Sequence, residues 1–151
     1  MYSDIAAEIT TEISQLHKLI DTYKVLLNKV RTANPTDVEL LALAGILHSF
    51  YSGFENIFKR ISKDTDGGFK KTESWHSDLL ENMVKSSKNR PAVISENLKE
   101  RLQFYLSFRH VFRSAYSYDL NWEKMQDLVF ESENILLTVE KELHVFLKAI
   151  I

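Results

Sequence analysis

The chain has 151 residues, 44% hydrophobic and 26% charged, which is the balance of a globular protein rather than a disordered one. This length is that of one domain, so residues 1–151 are expected to form a single domain. The absence of cysteine excludes disulfides and thiolate metal sites, and a formal net charge of -2 excludes a global attraction to nucleic acid.

Glycine and proline are scarce, with 4 and 2 copies in the whole chain. Sheets need many turns, and turns need those residues, so the composition favours a few long helices. No apolar run approaches the ~20 residues of a membrane span. The N-terminus also lacks the basic stretch and apolar run of a signal peptide, so a cytoplasmic protein without membrane contact is expected.

The first predicted helix covers residues 5–30, where apolar residues recur at steps of three and four along one stripe. It ends before Asn34, because the residue before a proline avoids helical backbone angles. Thr36 and Glu39 lie three residues apart and predict a capping box at the start of a second helix. The apolar stripe of that helix continues over residues 43–61.

Three more helices are predicted in the rest of the chain. A turn at Gly67 precedes a short helix over residues 74–85. A fourth helix covers residues 94–112 and loosens near Ala115, and Asn121 caps a fifth helix that continues almost to the C-terminus. Four long helices and one short helix predict an all-α, antiparallel helical bundle.

Most of the chemistry that can be sought in this sequence is absent. Phosphate-binding loops need clustered glycines, which Gly67 and Gly68 alone do not provide. A di-metal site in a bundle needs two Glu-x-x-His pairs, and Glu73 with His76 supplies one. No metal or other cofactor is therefore predicted. The five histidines are expected at the surface or at helix ends: His17, His48, His76, His110 and His144.

Residues 106–120 differ from the rest of the chain. Arg109, Arg113 and Tyr116 are spaced i, i+4 and i+7, which places them along one stripe of a helix. Two guanidinium groups beside a phenol are suited to binding a phosphodiester. The alternative is that both arginines reach solvent or pair with acids on the last helix, and spacing alone slightly favours that alternative.

This stretch resembles the signature of the HEPN superfamily, and of its HepT-like toxin branch in particular. The superfamily motif is an arginine followed four to six residues later by a histidine, and the toxin branch adds one residue and a tyrosine. Arg109 matches the arginine and Tyr116 the tyrosine, but Ser114 stands at the histidine position. Other segments also resemble that branch, so the likeness covers most of the chain from the second helix onward: residues 50–55, 66–68, 75–80 and 118–122.

The resemblance implies the toxin of a toxin–antitoxin system, an endoribonuclease that cleaves RNA, with tRNA as a target, without a metal. It implies a homodimer in which the motifs of two subunits line one cleft, and the strip Gly45–Ser49–Gly53 fits a twofold dimer. Arg109 would stabilise charge on the phosphate, with Arg113 and His110 as further phosphate-binding candidates. A minimal nucleotidyltransferase antitoxin would silence the toxin by transferring AMP to Tyr116.

Ser114 puts the activity of this sequence in doubt. A hydroxyl has no proton affinity near neutral pH, and losing a general base lowers a rate by roughly 10²–10⁴. A naturally weakened homologue and a deliberate inactivating change both fit this serine. His110 and His76 are possible substitutes, although His110 lies about 100° around the helix from Arg109, and Ser114 itself about 140°. Two alternatives remain: a non-catalytic helical module that binds a nucleotidyltransferase or nucleotide, and an adaptor bundle without RNA contact.

Overall fold

A computed structural model describes residues 2–114, 116 and 119–151, and these residues form helices and no strand. The all-α class predicted from composition is confirmed. None of the helices in this part of the chain is long and apolar enough to cross a membrane. The helices are α1 (Ser3–Thr22), α2 (Lys24–Lys29), α3 (Asp37–Thr65), α4 (Trp75–Asn82), α5 (Glu96–Ser114) and α6 (Trp122–Ile150).

The prediction of one continuous first helix is wrong, because the chain breaks it at Tyr23. The backbone of Tyr23 has φ -106° and ψ 17°, so α1 ends at Thr22 and α2 is a separate helix of six residues. The apolar stripe continues through this position in the sequence, but the Tyr23 side chain is 42% exposed. No core contact therefore requires a straight helix here. The described residues form four long and two short helices rather than four and one.

Helix α3 packs against α1, α4, α5 and α6. It begins in the predicted capping box, where the Glu39 amide donates to Thr36 Oγ1 at 3.1 Å and the Thr36 amide donates to Glu39 Oε1 at 2.9 Å. Large side chains of α3, including Phe50, Phe54 and Phe58, are fully buried. Neighbours cover α3 on several sides, so the polar side chains on its covered faces, such as Glu55, are held close to other helices.

Helix α5 is fixed between α3 and α6, and it also contacts α4. Its Tyr105 hydroxyl donates to the Leu128 carbonyl of α6 at 2.7 Å. Helix α6 begins at the predicted cap, where the Lys124 amide donates to Asn121 Oδ1 at 3.2 Å. The contact of the His48 ring of α3 with the Phe112 ring of α5 places the C-terminal half of α5 beside α3, and that half carries the arginines singled out in the sequence.

A close contact between α1 and α3 explains why position 53 is a glycine. A Cβ atom added at Gly53 would lie 2.5 Å from Cδ2 of Leu16 and 3.0 Å from its Cγ, so the bare backbone is needed. A Cβ added at Gly45 would meet nothing within 4 Å. The expected close helix contact is confirmed at Gly53, but it lies within one chain. This end of the glycine strip is therefore not available to a second subunit.

The two glycines of α3 give a matched test of that contact. We expect Gly53→Ala to lower the free energy of unfolding by roughly 1–3 kcal/mol, because the new methyl overpacks the core against Leu16. Gly45→Ala should raise it by about 0.5–1 kcal/mol, because alanine is the better helix former and the space is open. Urea denaturation of both variants measures these differences. Equal effects of the two substitutions would contradict the contact with α1.

Candidate functional site

The candidate site starts with two arginines near the C-terminal end of α5. Arg109 and Arg113 lie one helical turn apart, and Arg109 is half-buried while Arg113 is exposed. The Nε atom of Arg109 is buried, and no acceptor for its hydrogen lies among the described residues. A buried donor without an acceptor costs about 1–3 kcal/mol. This nitrogen is therefore suited to an acceptor that arrives with a ligand.

Every other arginine of the chain has a partner. Ion pairs or hydrogen bonds engage Arg31, Arg60, Arg90 and Arg101. Across the described residues, neither the Arg109 nor the Arg113 side chain forms an ion pair or a hydrogen bond with another residue. Of the alternative stated above, pairing with acids on the last helix is therefore wrong for this part of the chain, whereas the exposed Arg113 does reach solvent. Their positive charge is available to a bound anion.

A stripe of α3 faces these arginines. His48 and Glu55 lie seven residues apart, with Tyr51 between them, so the three occupy one face of the helix. The ring centroid of His48 lies 5.6 Å from that of Phe112, the residue before Arg113 on α5. Glu55 is 3% exposed and Tyr51 is fully buried. The site thus combines two guanidinium groups with a half-buried imidazole and a buried carboxylate.

The surroundings of His48 favour its neutral form. Partial burial of the ring, and then the positive charges of Arg109 and Arg113, lower the pKa of His48 from its ordinary 6.5, while Glu55 acts weakly in the opposite direction. The imidazole is therefore unprotonated at pH 7. The pKa of His48 is lower in the folded chain than in the unfolded chain. As the pH falls, the unfolded chain therefore binds a proton at this residue first. This contribution to stability is complete above pH 6.5 and is lost as the pH falls through the folded pKa.

Glu55 is held by a histidine of α4. Nδ1 of His76 lies 2.7 Å from Oε2 of Glu55. The His76 ring stacks on the indole of Trp75 with centroids 3.6 Å apart, and Trp75 stacks on Phe69 at 5.3 Å. Burial and, after it, the charge of Glu55 raise the pKa of the Tyr51 phenol, so that group stays protonated. Glu55 thus has a fixed partner other than the arginines.

The remaining predicted site residues lie at or beyond the end of α5. Tyr116 is 72% exposed, which confirms the expectation that its phenol is reachable. His110 is exposed on α5. Ser114 is the last residue of α5, and its side chain lies outside the described residues, as do Ala115 and Tyr118. Arg109 and Arg113 share α5 as predicted, but Tyr116 lies outside that helix, so the prediction of one helical stripe that holds all three residues is wrong.

No role for His48 or Glu55 follows from the arginine motif. One signal in the sequence does point to Glu55, because it lies among residues that form an apolar helix core, such as Phe54 and Phe58. A carboxylate in such a setting is almost never fully buried unless it is paired. His48 lies on the same face, two turns earlier. Helical spacing in the sequence could have shown that these two side chains lie on one face of a helix. It could not have shown that this face lies beside the two arginines.

Comparison with known proteins gives one match. Residues 42–150 match the model of a protein family described as HepT-like protein. This range includes α4, α5, α6 and most of α3, so it contains the whole candidate site. Neither a curated protein nor a solved structure matches the chain significantly.

The electrostatic link between the two helices can be measured directly. We expect Arg109→Gln to raise the pKa of His48, because it removes a positive charge that disfavours the imidazolium. Arg101→Gln is the matched control on the same helix, since Arg101 donates to Asn134 of α6 instead. NMR titration of the histidine ring protons gives the pKa in each variant. An unchanged His48 pKa in Arg109→Gln would rule out this link.

Proposed function

The chain belongs to the HepT-like protein family, and on this premise we propose that it is a HEPN-type endoribonuclease, the toxin of a toxin–antitoxin pair. Its substrate is RNA, with tRNA as the first class to test, and its cleavage needs no metal. Residues 1–151 form one functional domain. The observation that supports this proposal best is the buried Nε–H of Arg109, which has no acceptor among the described residues.

A phosphodiester fits the two arginines of α5. Guanidinium donors form short, charge-assisted hydrogen bonds to phosphate oxygens, and two such groups one turn apart can hold two oxygens. The Arg109 donor is already removed from water, so a phosphate oxygen completes a hydrogen bond that is missing without substrate. Charge on phosphorus oxygens grows during nucleophilic attack. Cations fixed in advance therefore stabilise the transition state more than the ground state.

Serine at position 114 limits the rate in this proposal. The ribose 2′-hydroxyl must lose its proton before its oxygen attacks phosphorus, and histidine suits that role because its pKa lies near working pH. Ser114 offers a hydroxyl at the end of α5 instead. We therefore assign this chain a slower cleavage than the same site would have with histidine at that position.

The proposal includes an antiparallel bundle that pairs as a twofold homodimer, with the two sites facing one cleft. Phe104 lies on α5, the helix that carries the arginines, and it is 67% exposed. It borders a groove of about 580 Å³ between α5 and α6, which Phe108 and Met125 also line. Exposed apolar surface of this kind supports a protein contact next to the site.

Restoring the histidine tests the ribonuclease proposal. Ser114→His should increase the cleavage of total tRNA and single-stranded RNA in EDTA by roughly 10²–10⁴. Adding Arg109→Gln to that variant should remove most of the gain, whereas adding Arg101→Gln should not. Gel analysis of end-labelled RNA measures the rates. A folded Ser114→His protein that leaves both RNAs intact would contradict the ribonuclease proposal.

Tyr116 is the proposed acceptor of AMP from a minimal nucleotidyltransferase antitoxin. Its side chain is 72% exposed, so a second protein can reach the phenol. The phenol has a pKa of ~10 when unperturbed, so the transferase must supply the base and the bound ATP. AMP on Tyr116 adds bulk and negative charge just beyond the end of α5, the helix that carries Arg109 and Arg113, and this charge opposes the binding of RNA phosphate.

We expect incubation with the accompanying nucleotidyltransferase and ATP to place AMP on Tyr116, and Tyr116→Phe to abolish the adduct. Ser114→Ala should still be modified, because the transfer does not use that hydroxyl. Peptide mass spectrometry maps the adduct. Its appearance on Tyr118, or on no tyrosine while the transferase is active, would remove the antitoxin half of the proposal.

A further inference from the structure

We propose that His48, on α3, accepts the proton of the ribose 2′-hydroxyl and so supplies the base that is missing at position 114. This inference rests on the proposed ribonuclease function, and it deepens that function by naming a residue outside the arginine motif. It predicts that the chain cleaves RNA with serine at position 114, slowly but measurably.

The position of His48 is set by the packing of α3 on α5. Its ring lies 5.6 Å from the ring of Phe112, centroid to centroid. On α5, Phe112 directly precedes Arg113 and follows Arg109 by three residues. The imidazole therefore lies against the segment of α5 that holds both guanidinium groups. Because the charges of Arg109 and Arg113 also act on this ring, we infer that a phosphodiester bound by the two arginines brings its ribose within reach of the imidazole.

The charges around His48 suit a base. The charged groups that act on it are Arg109 and Arg113 from α5 and Glu55 from α3 itself, and burial together with the arginines keeps the ring unprotonated at pH 7. A bound phosphate offsets the arginine charge. The proton affinity of His48 therefore rises when RNA binds, at the moment when the ring has to take a proton.

Three other histidines are placed less well for this role. His76 already bonds Glu55 through Nδ1 and stacks on Trp75. His110 lies about 100° around α5 from Arg109, so the two point to different sides of the helix. His17 is on α1 and bonds Glu140 of α6.

The proposed step consumes no further reagent. The 2′-oxygen gives its proton to the unprotonated ring nitrogen of His48 and forms a bond to phosphorus. The bond between phosphorus and the 5′-oxygen breaks, and that oxygen takes a proton from solvent. The products are a 2′,3′-cyclic phosphate and a 5′-hydroxyl end. His48 then returns its proton to solvent, while Arg109 and Arg113 hold the non-bridging oxygens throughout.

The test compares the unaltered chain with His48→Gln on labelled single-stranded RNA and total tRNA in EDTA. We expect the unaltered chain to cleave, and His48→Gln to cleave more slowly by roughly 10²–10⁴. The affinity for an RNA whose 2′-hydroxyls are replaced by hydrogen should be the same for both. His17→Gln is the matched control and should cleave like the unaltered chain.

The pH profile separates a base from a merely structural residue. The kcat/KM of the unaltered chain, which reports groups of the free protein, should rise through the pKa of His48, below 6.5, and then level off. This rise should be absent from His48→Gln. Because the profile is measured on the unaltered chain, a rate that does not change with pH in this range overturns the role of His48 even if the variant fails to fold.

The outcomes separate this inference from the function on which it rests. Equal cleavage by the unaltered chain and His48→Gln overturns the inference and leaves the ribonuclease standing. Cleavage that appears only after Ser114→His also overturns the inference and leaves the ribonuclease standing. A loss of cleavage that occurs in His76→Gln but not in His48→Gln has the same consequence. If neither the unaltered chain nor Ser114→His cuts RNA, the proposed function and the inference both fail.

Discussion

The packing of α3 against four other helices decides where charge can lie in this molecule. Gly53 lets α1 approach so closely that a methyl group would collide with Leu16, and large aromatic side chains fill much of the rest of the helix. A polar group on such a helix must find a partner, because burying it without one is costly. Glu55 finds His76 on α4. His48 is left beside α5, where the partnerless arginines lie.

Two buried arginine donors show what separates a structural arginine from a binding one. Arg90 is 5% exposed, and its guanidinium donates to both carboxylate oxygens of Asp66 and to the carbonyls of Asn82, Lys85 and Pro91. Such a network ties the loop after α4 to the end of α3. The Nε of Arg109, the other donor, has no acceptor among the described residues. Since this chain does satisfy a buried arginine elsewhere, the missing acceptor at Arg109 supports the phosphate-binding role proposed for it.

Local rules predicted the parts of this fold that depend on near neighbours in the chain. The capping box at Thr36, the cap at Asn121 and the arginine stripe of α5 all involve residues three or four apart. The break at Tyr23 was not predicted, because the apolar pattern continues through it. Only the packed structure shows that this side chain is not covered. The place of His48 beside α5 was not predicted for a similar reason. Its contact with Phe112 joins two distant helices, and no helical period encodes such a contact.

In the proposed mechanism the place of the phosphate and the source of the base are separate requirements, and two helices would meet them. Arg109 and Arg113 would bind the phosphate from α5, whatever residue stands at position 114. Proton transfer needs only a basic atom within hydrogen-bond reach of the 2′-oxygen, so the helix that carries it is not prescribed. In this proposal α3, which packs beside the arginines, meets that need, and burial together with the arginine charges lowers the pKa of the His48 imidazole. Loss of the motif histidine therefore weakens the proposed site without removing the physical conditions for its chemistry.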